Sequence, residues 1–180
     1  LAAMDEVRAL VPACIAALGV PTCLINNASE FQLDTLATMT PESWERHLAV
    51  NLRAPVFLAQ SFAAHLPAGQ SGNIINMIDQ RVWRLRPEFY SYTIAKSALW
   101  SATRTLAQAL APHIRVNAIG PGPVLQSVHQ HPEEFDAECR STLLQRGADV
   151  REIADAVRFI LGAPAMTGQM IALDGGQHLT

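Results

Sequence analysis

The sequence predicts an α/β fold in which helices cover a parallel sheet. Apolar runs of strand length alternate with segments whose apolar residues recur at helical spacing. One such run, Asn73 to Ile78, is apolar enough to be covered on both faces, as strands of parallel sheets are. The chain has 180 residues, 49% of them apolar, which suits one domain with a core that needs no staples.

Met4, Val7, Leu10, Val11, Cys14, Ile15 and Leu18 form the first helical stripe. Pro12 inside it should kink or interrupt the helix, and Gly19 closes it. Thr22 to Ile25 is a short buried strand ending at Asn26-Asn27. Thr40-Pro41-Glu42 starts the second helix: a capping hydroxyl, a proline in the first turn, and an acid at the positive end of the dipole. Its stripe, Trp44, Leu48, Leu52, Val56 and Phe57, runs on to about His65. After the strand at 73–78, a third helix extends from Tyr90 to Ala111, where Pro112 ends it. Ile114 to Ala118 is the third strand, and Gly120-Pro121-Gly122-Pro123 is expected to be irregular. Residues 124–147 are polar and are expected to form an irregular substrate-binding flap. Asp149 and Glu152 have capping-box spacing for a fourth helix carrying Ile153, Ala156, Val157 and Ile160. Met170 to Leu173 is the fourth strand, and Asp174-Gly175-Gly176 is a turn.

Composition narrows the function classes. The net charge of -3 argues against a sequence-independent grip on nucleic acid. No apolar stretch approaches the ~20 residues that span a bilayer, so no membrane partner is expected. Cys14, Cys23 and Cys139 are odd in number and lack ligand spacing, which fits a reducing cytoplasm. His129, His131, Glu133, Glu134, Asp136 and Cys139 are metal-ligand types without persuasive spacing, so no metal is assigned. Arg81, Arg84 and Arg86 form a basic cluster suited to solvent, a subunit contact or a substrate carboxylate. Trp83 and Trp100 are expected in core or interface packing.

Lys96 is the only lysine and follows Tyr92 by four residues, one turn along a helix face. An ammonium there can stabilise a phenolate and make the tyrosine a usable acid near neutral pH. On these residues the chain resembles the short-chain dehydrogenase/reductase family. Asn26-Asn27-Ala28-Ser29 is similar to the family's Asn-Asn-Ala-Gly turn, and Asn51 to its helix asparagine. Tyr92 and Lys96 match its catalytic pair. Ile114-Arg115-Val116-Asn117 with Pro121-Gly122 matches the strand and turn beside its nicotinamide site. Gly168-Gln169 through Asp174-Gly175-Gly176 is similar to its C-terminal strand. The resemblance implies a Rossmann-like three-layer sandwich. No glycine-rich phosphate loop occurs, and the chain does not begin with Met. It is therefore expected to be the C-terminal two-thirds of the fold.

Asp79 stands thirteen residues before Tyr92, where the family usually has serine. One reading is a decayed site. The other is a resemblance to pteridine reductases and short-chain dihydrofolate or dihydromonapterin reductases, which carry aspartate there. A carboxyl group can hold or pass a proton where a ring nitrogen is the acceptor. Ser29 and Phe31 resemble the pterin-contacting residues of those enzymes, although Phe31 also suits plain loop packing.

The implied function is NADPH-dependent reduction of a dihydropterin-type substrate. Tyr92 would donate the proton, Lys96 would lower its pKa and hold the nicotinamide ribose, and Asp79 would assist proton delivery or bind the pterin. Asn51 would anchor a water relay behind Lys96. Asn27, Ala28, Ser29, Pro121 and Gly122 would contact the cofactor, and Ser29, Phe31, Asp79 and Tyr92 the substrate. NADPH is implied by the resemblance alone, and NADH stays open. A small-molecule substrate and a homo-oligomer, tetramer or dimer, are expected. The alternatives are a carbonyl reductase of a ketone or 3-oxoacyl thioester, and a non-enzymatic remnant.

Overall fold

A computed structural model describes residues 1–127 and 130–180. Strands β1 (Cys23–Asn26), β2 (Gly72–Met77), β3 (Ile114–Pro121) and β4 (Met170–Leu173) form one parallel sheet in that spatial order. Helix α1 (Met4–Leu18) precedes β1, and α2 (Pro41–Leu48), α3 (Ala54–His65), α4 (Tyr90–Leu110), α5 (Pro132–Ser141) and α6 (Val150–Gly162) lie in the connections between successive strands. The fold is Rossmann-like α/β.

The alternation of side chains along β2 and β3 builds the layers. Ile74 and Val116 face Ala59 and Phe62 of α3 and Ala107 of α4. Ile75, Met77 and Ile119 face Ala156 and Ile160 of α6 on the other side. α1 lies outside α3, joined through Val7, Val11, Ala54 and Leu58. β2 is thus covered on both faces as its composition predicts. β1 lies at the sheet edge, and Ile25 is 43% exposed.

The caps read from sequence are present. The Thr40 side chain accepts from Ser43 N, and the Asp149 and Glu152 pair closes a capping box at α6. Gly19 ends α1 at φ 86°. The structure corrects four expectations. Pro12 does not interrupt α1, because it lies on the exposed face, where solvent can satisfy the carbonyl it leaves unpaired. The 41–65 segment is not one regular helix: residues Ala49–Arg53 form a π-helical turn between α2 and α3. β3 continues through Gly120 and Pro121, since these residues register with Ala172 and Leu173 of β4. The 124–147 segment is not irregular throughout: α5 has Pro132 in its first turn and a capping box between His131 and Glu134. Val128 and His129 lie outside the described residues.

Candidate active site

The C-terminal ends of the four parallel strands point to one side of the sheet, where open α/β sheets bind ligands. A cleft of about 260 Å³ opens there, lined by Phe31, Asp79, Tyr92, Pro121 and Gly122 among others. Strand β2 delivers Asp79 two residues past its end, and the first turn of α4 delivers Tyr92. Tyr92 Oη donates to Asp79 Oδ2 at 2.8 Å. The other Asp79 oxygen accepts from Arg81 N at 2.8 Å, capping the short 3-10 turn Gln80–Val82.

Lys96 is 3% exposed, and its Nζ donates to the Met77 carbonyl at 2.8 Å, at the end of β2. Its ammonium lies 5.6 Å from the Tyr92 ring centroid. Burial lowers the Lys96 pKa to about 8, against the opposing pull of the Asp79 charge. Burial likewise raises the Asp79 carboxyl. The Tyr92 phenol is pushed up by burial first and then by Asp79, through its charge and hydrogen bond. The net direction is upward, and Lys96 is not among the causes that set it. In this arrangement burial, reinforced by Asp79, sets the direction of the Tyr92 shift, and the phenol proton lies in a hydrogen bond between two oxygens.

Asn51 lies in the π-helical turn, and its carboxamide bonds the loop after β1. Its Oδ1 accepts from Glu30 N at 2.9 Å and Ser29 Oγ at 3.0 Å, and its Nδ2 donates to Glu30 O at 2.8 Å. The side chain clamps the loop after β1. That loop carries Asn27, Ala28 and Ser29, all exposed, at the C-terminal end of β1. Phe31 follows, and its ring stacks on Phe89 with centroids 4.3 Å apart and meets Tyr92 edge-on at 4.7 Å. Phe89 precedes α4 with φ 55°, a left-handed conformation that bulky side chains rarely adopt. On the opposite rim, Gly122 is required by close approach: a Cβ there would lie 2.8 Å from Asp174 Cα.

Sequence reasoning missed the support behind Tyr92. His47 is fully buried in α2; its Nδ1 lies 2.6 Å from Ser91 Oγ, and its Nε2 accepts from Gln32 N at 3.1 Å. With Nε2 an acceptor, Nδ1 carries the proton of a neutral ring, in line with a pKa lowered by burial. Ser91 Oγ in turn donates to Asp34 Oδ2, and Ser91 N donates to Asp34 Oδ1 at 3.1 Å. The network ties the 30–36 loop to the first turn of α4. Asn26, Asn76 and Thr103 form a second buried chain, at 2.7 and 2.9 Å, that joins β1, β2 and α4. A polar residue inside an apolar strand, as at Asn76, was the available signal.

Tyr90 lines neither cleft of the site face. Trp83 sits edge-on to His178, and Trp100 packs beside Leu99 and Ile78. Among the described residues no three His, Cys, Asp or Glu side chains gather as metal ligands, and His129 lies outside them. Among the described residues no helix is long and apolar enough to cross a membrane.

Residues 1–178 match the profile described as Enoyl-(Acyl carrier protein) reductase, of the short-chain dehydrogenase/reductase family. The chain is similar to the crystal structure of FolM alternative dihydrofolate reductase 1 from Brucella suis in complex with NADP. Identity is 51% and the TM-score 0.95, over 97% of this chain and 71% of that one. It is 32% identical to the probable galactose dehydrogenase GalD of Rhizobium meliloti, over 96% of this chain and 70% of the relative. It is 30% identical to the dihydromonapterin reductase of an Enterobacter species (strain 638), over 87% of this chain and 66% of the relative. By the extent of these matches, and by the Tyr92–Lys96 pair at the strand ends, the chain belongs to the short-chain dehydrogenase/reductase family of oxidoreductases.

Proposed function

We propose that the protein is an NADPH-dependent reductase of a dihydropterin-type substrate. The observation that carries this reading is the Tyr92–Asp79 hydrogen bond. It places a carboxyl group, rather than a serine hydroxyl, beside the proton donor. The NADP-bound Brucella structure and the dihydromonapterin reductase relative support it.

The residues present fit the nicotinamide end of the cofactor. Lys96 spends one donor on the Met77 carbonyl, and an ammonium has three. The remaining capacity suits ribose hydroxyls. Gly122 permits close backbone approach on one rim, and Asn27 to Ser29 form the other. The 180 residues contain no glycine-rich phosphate loop, so these groups serve the nicotinamide end. When bound, the dihydronicotinamide supplies a hydride.

The chain's own residues manage the proton. Tyr92 is protonated across the neutral range, since its pKa lies well above 10. Asp79 is also shifted toward its protonated form. Asp79 can take a proton from Tyr92 or return one to it, and the pair can deliver that proton to a ring nitrogen. The Lys96 ammonium supplies positive charge that offsets negative charge developing on the phenol. Asn51 positions the loop that brings Ser29 and Phe31 to the substrate. Val124, Leu125, Gln130, Phe135 and Glu138 line the cleft, which supports a substrate-binding flap within 124–147.

The galactose dehydrogenase relative favours a second reading, a carbonyl oxidoreductase with Asp79 only tolerated. Steady-state assays of wild type and Asp79→Ser on dihydrobiopterin and on an activated ketone separate the two. The pterin reading expects dihydropterin turnover in wild type and its loss in Asp79→Ser, with ketone turnover kept or improved. Ketone reduction without pterin turnover in wild type replaces it with the carbonyl reading. Failure to bind any nicotinamide cofactor, in the protein as its gene encodes it, points to a non-enzymatic remnant.

A further inference from the structure

Phe31 lines the catalytic cleft and also a larger compartment of about 780 Å³ beside it. Its ring is 36% exposed and leans on Phe89 and Tyr92. The backbone beneath the ring must be held for those contacts to persist, and the loop shows how it is held.

The loop is pinned at both ends. Asn51 grips Glu30 through its backbone N and O, at 2.9 and 2.8 Å. Asp34 accepts from the backbone N and the Oγ of Ser91 and, at 3.3 Å, from Ser43 Oγ. The Asp34 carbonyl accepts from Tyr90 N at 3.2 Å. Between these anchors the backbone of Phe31, Gln32 and Leu33 makes one hydrogen bond among the described residues, from Gln32 N to His47 Nε2 at 3.1 Å. The other His47 nitrogen, Nδ1, lies 2.6 Å from Ser91 Oγ. One buried ring therefore ties the middle of the loop to the first turn of α4.

That tie tolerates a single protonation state. The Ser91 hydroxyl has one hydrogen and gives it to Asp34, so it accepts from the Nδ1–H of His47. Nε2 then carries the lone pair that the Gln32 N–H needs. A second proton can enter only at Nε2, where it would set two N–H donors against each other and break the bond. The Nδ1–H bond to Ser91 survives, so α4 and Tyr92 keep their place while residues 31–33 come free. The charges facing the ring pull in both directions: Asp34 and Glu30 of the loop favour the proton, whereas burial and Arg46 of α2 oppose it. From α4 it meets the Ser91 hydroxyl and the edge-on Tyr92 ring, 6.1 Å between centroids.

We propose that His47 is a positioning residue for substrate binding: its neutral ring seats Phe31 through Gln32 N, and its protonation unseats Phe31 without moving Tyr92. It touches neither substrate nor cofactor. The effect therefore falls on KM more than on kcat, and activity gains an acid limb that belongs to the loop rather than to the proton donor. The dihydropterin reading above enters only through the choice of assay substrate.

The test uses the NADPH-saturated protein as its gene encodes it. Between pH 7.5 and 5.5 the KM for dihydrobiopterin should rise at least about threefold, the share of one lost hydrogen bond, with kcat changed less. His47→Gln offers Gln32 N an acceptor and has no ring to protonate, so the acid rise in KM should disappear. His47→Leu should raise KM at both pH values, and His47→Gln should recover most of that loss at pH 7.5. A merely structural role would leave the pH dependence of KM alike in wild type and His47→Gln. A second measurement needs no substrate and no variant. Amide hydrogen exchange, corrected for intrinsic rate, should show Gln32 protected at pH 7.5 and unprotected at pH 5.5, while the Ser91 amide held by Asp34 stays protected. Protection of Gln32 that persists at pH 5.5, or an equal acid rise in KM in wild type and His47→Gln, overturns the assignment. Absence of dihydrobiopterin turnover at either pH overturns the dihydropterin reading, and the exchange measurement then decides the role of His47 by itself.

Discussion

Tyr92 Oη and Asp79 Oδ2 share a hydrogen bond of 2.8 Å between two buried groups. The pair joins the end of β2 to the first turn of α4 and fixes the phenol at the mouth of the cleft. Burial raises the cost of charge on both groups, and the charge and hydrogen bond of Asp79 raise it further on Tyr92, whereas the Tyr92 hydrogen bond eases ionisation of Asp79. A proton is therefore retained at the site through the neutral range. This is the condition a proton donor needs when the acceptor is a weakly basic ring nitrogen.

Replacing Tyr92 by Phe removes the donor and leaves the ring packing against Phe31. Turnover should fall by about 10²–10⁴, the usual share of a positioned acid. Tyr90→Phe should change turnover little, since Tyr90 lines neither cleft. Single-turnover rates of both variants check this. A larger loss in Tyr90→Phe would mean that the wrong tyrosine has been assigned.

The sheet and most helices were legible in the sequence because their signals are local. Caps at Thr40 and Asp149, the apolar run of β2 and the Tyr92–Lys96 spacing all act within a few residues. Gly120 and Pro121 misled, because their place in β3 depends on pairing with β4, which no local rule contains. The side-chain contacts of Asn51 were not legible for the same reason: its partners are 21 and 22 residues away in sequence. The direction of the Tyr92 shift depends on burial and on the reach of Asp79, which only the folded chain defines.

His47 should support both stability and its pH dependence. Both ring nitrogens are engaged, so His47→Leu leaves Gln32 N unpaired, at ~1–3 kcal/mol, and removes one of the two side-chain hydrogen bonds of Ser91 Oγ, which keeps its bond to Asp34. The folded-state pKa lies below 6.5, so the unfolded chain takes up a proton that the native state refuses. Stability contributed by the neutral ring is present above pH 6.5 and is lost as pH falls toward the folded-state pKa. Urea unfolding at pH 7.5 and 5.5 should show the decline in wild type and a smaller decline in His47→Gln. Equal declines would assign the acid sensitivity to other groups.

Lys96 sets the alkaline limit of activity. Its ammonium has a pKa lowered to about 8, so it is charged below that pH and neutral above it. The charge is what offsets negative charge developing on Tyr92, so kcat/KM for the reductase reaction should fall as pH rises through about 8. Asp79 shapes this limb as well. Its carboxylate raises the Lys96 pKa against the dominant effect of burial. Asp79→Asn removes that charge and should move the alkaline limb to lower pH, while Lys96→Arg should move it upward out of the measurable range. The two shifts have opposite signs and arise from one side chain and its neighbour, which general destabilisation would not mimic. The measurement is the pH profile of kcat/KM from pH 5.5 to 10, with cofactor and substrate stability checked at each end. An alkaline limb that stays near pH 8 in Lys96→Arg would assign it to another group.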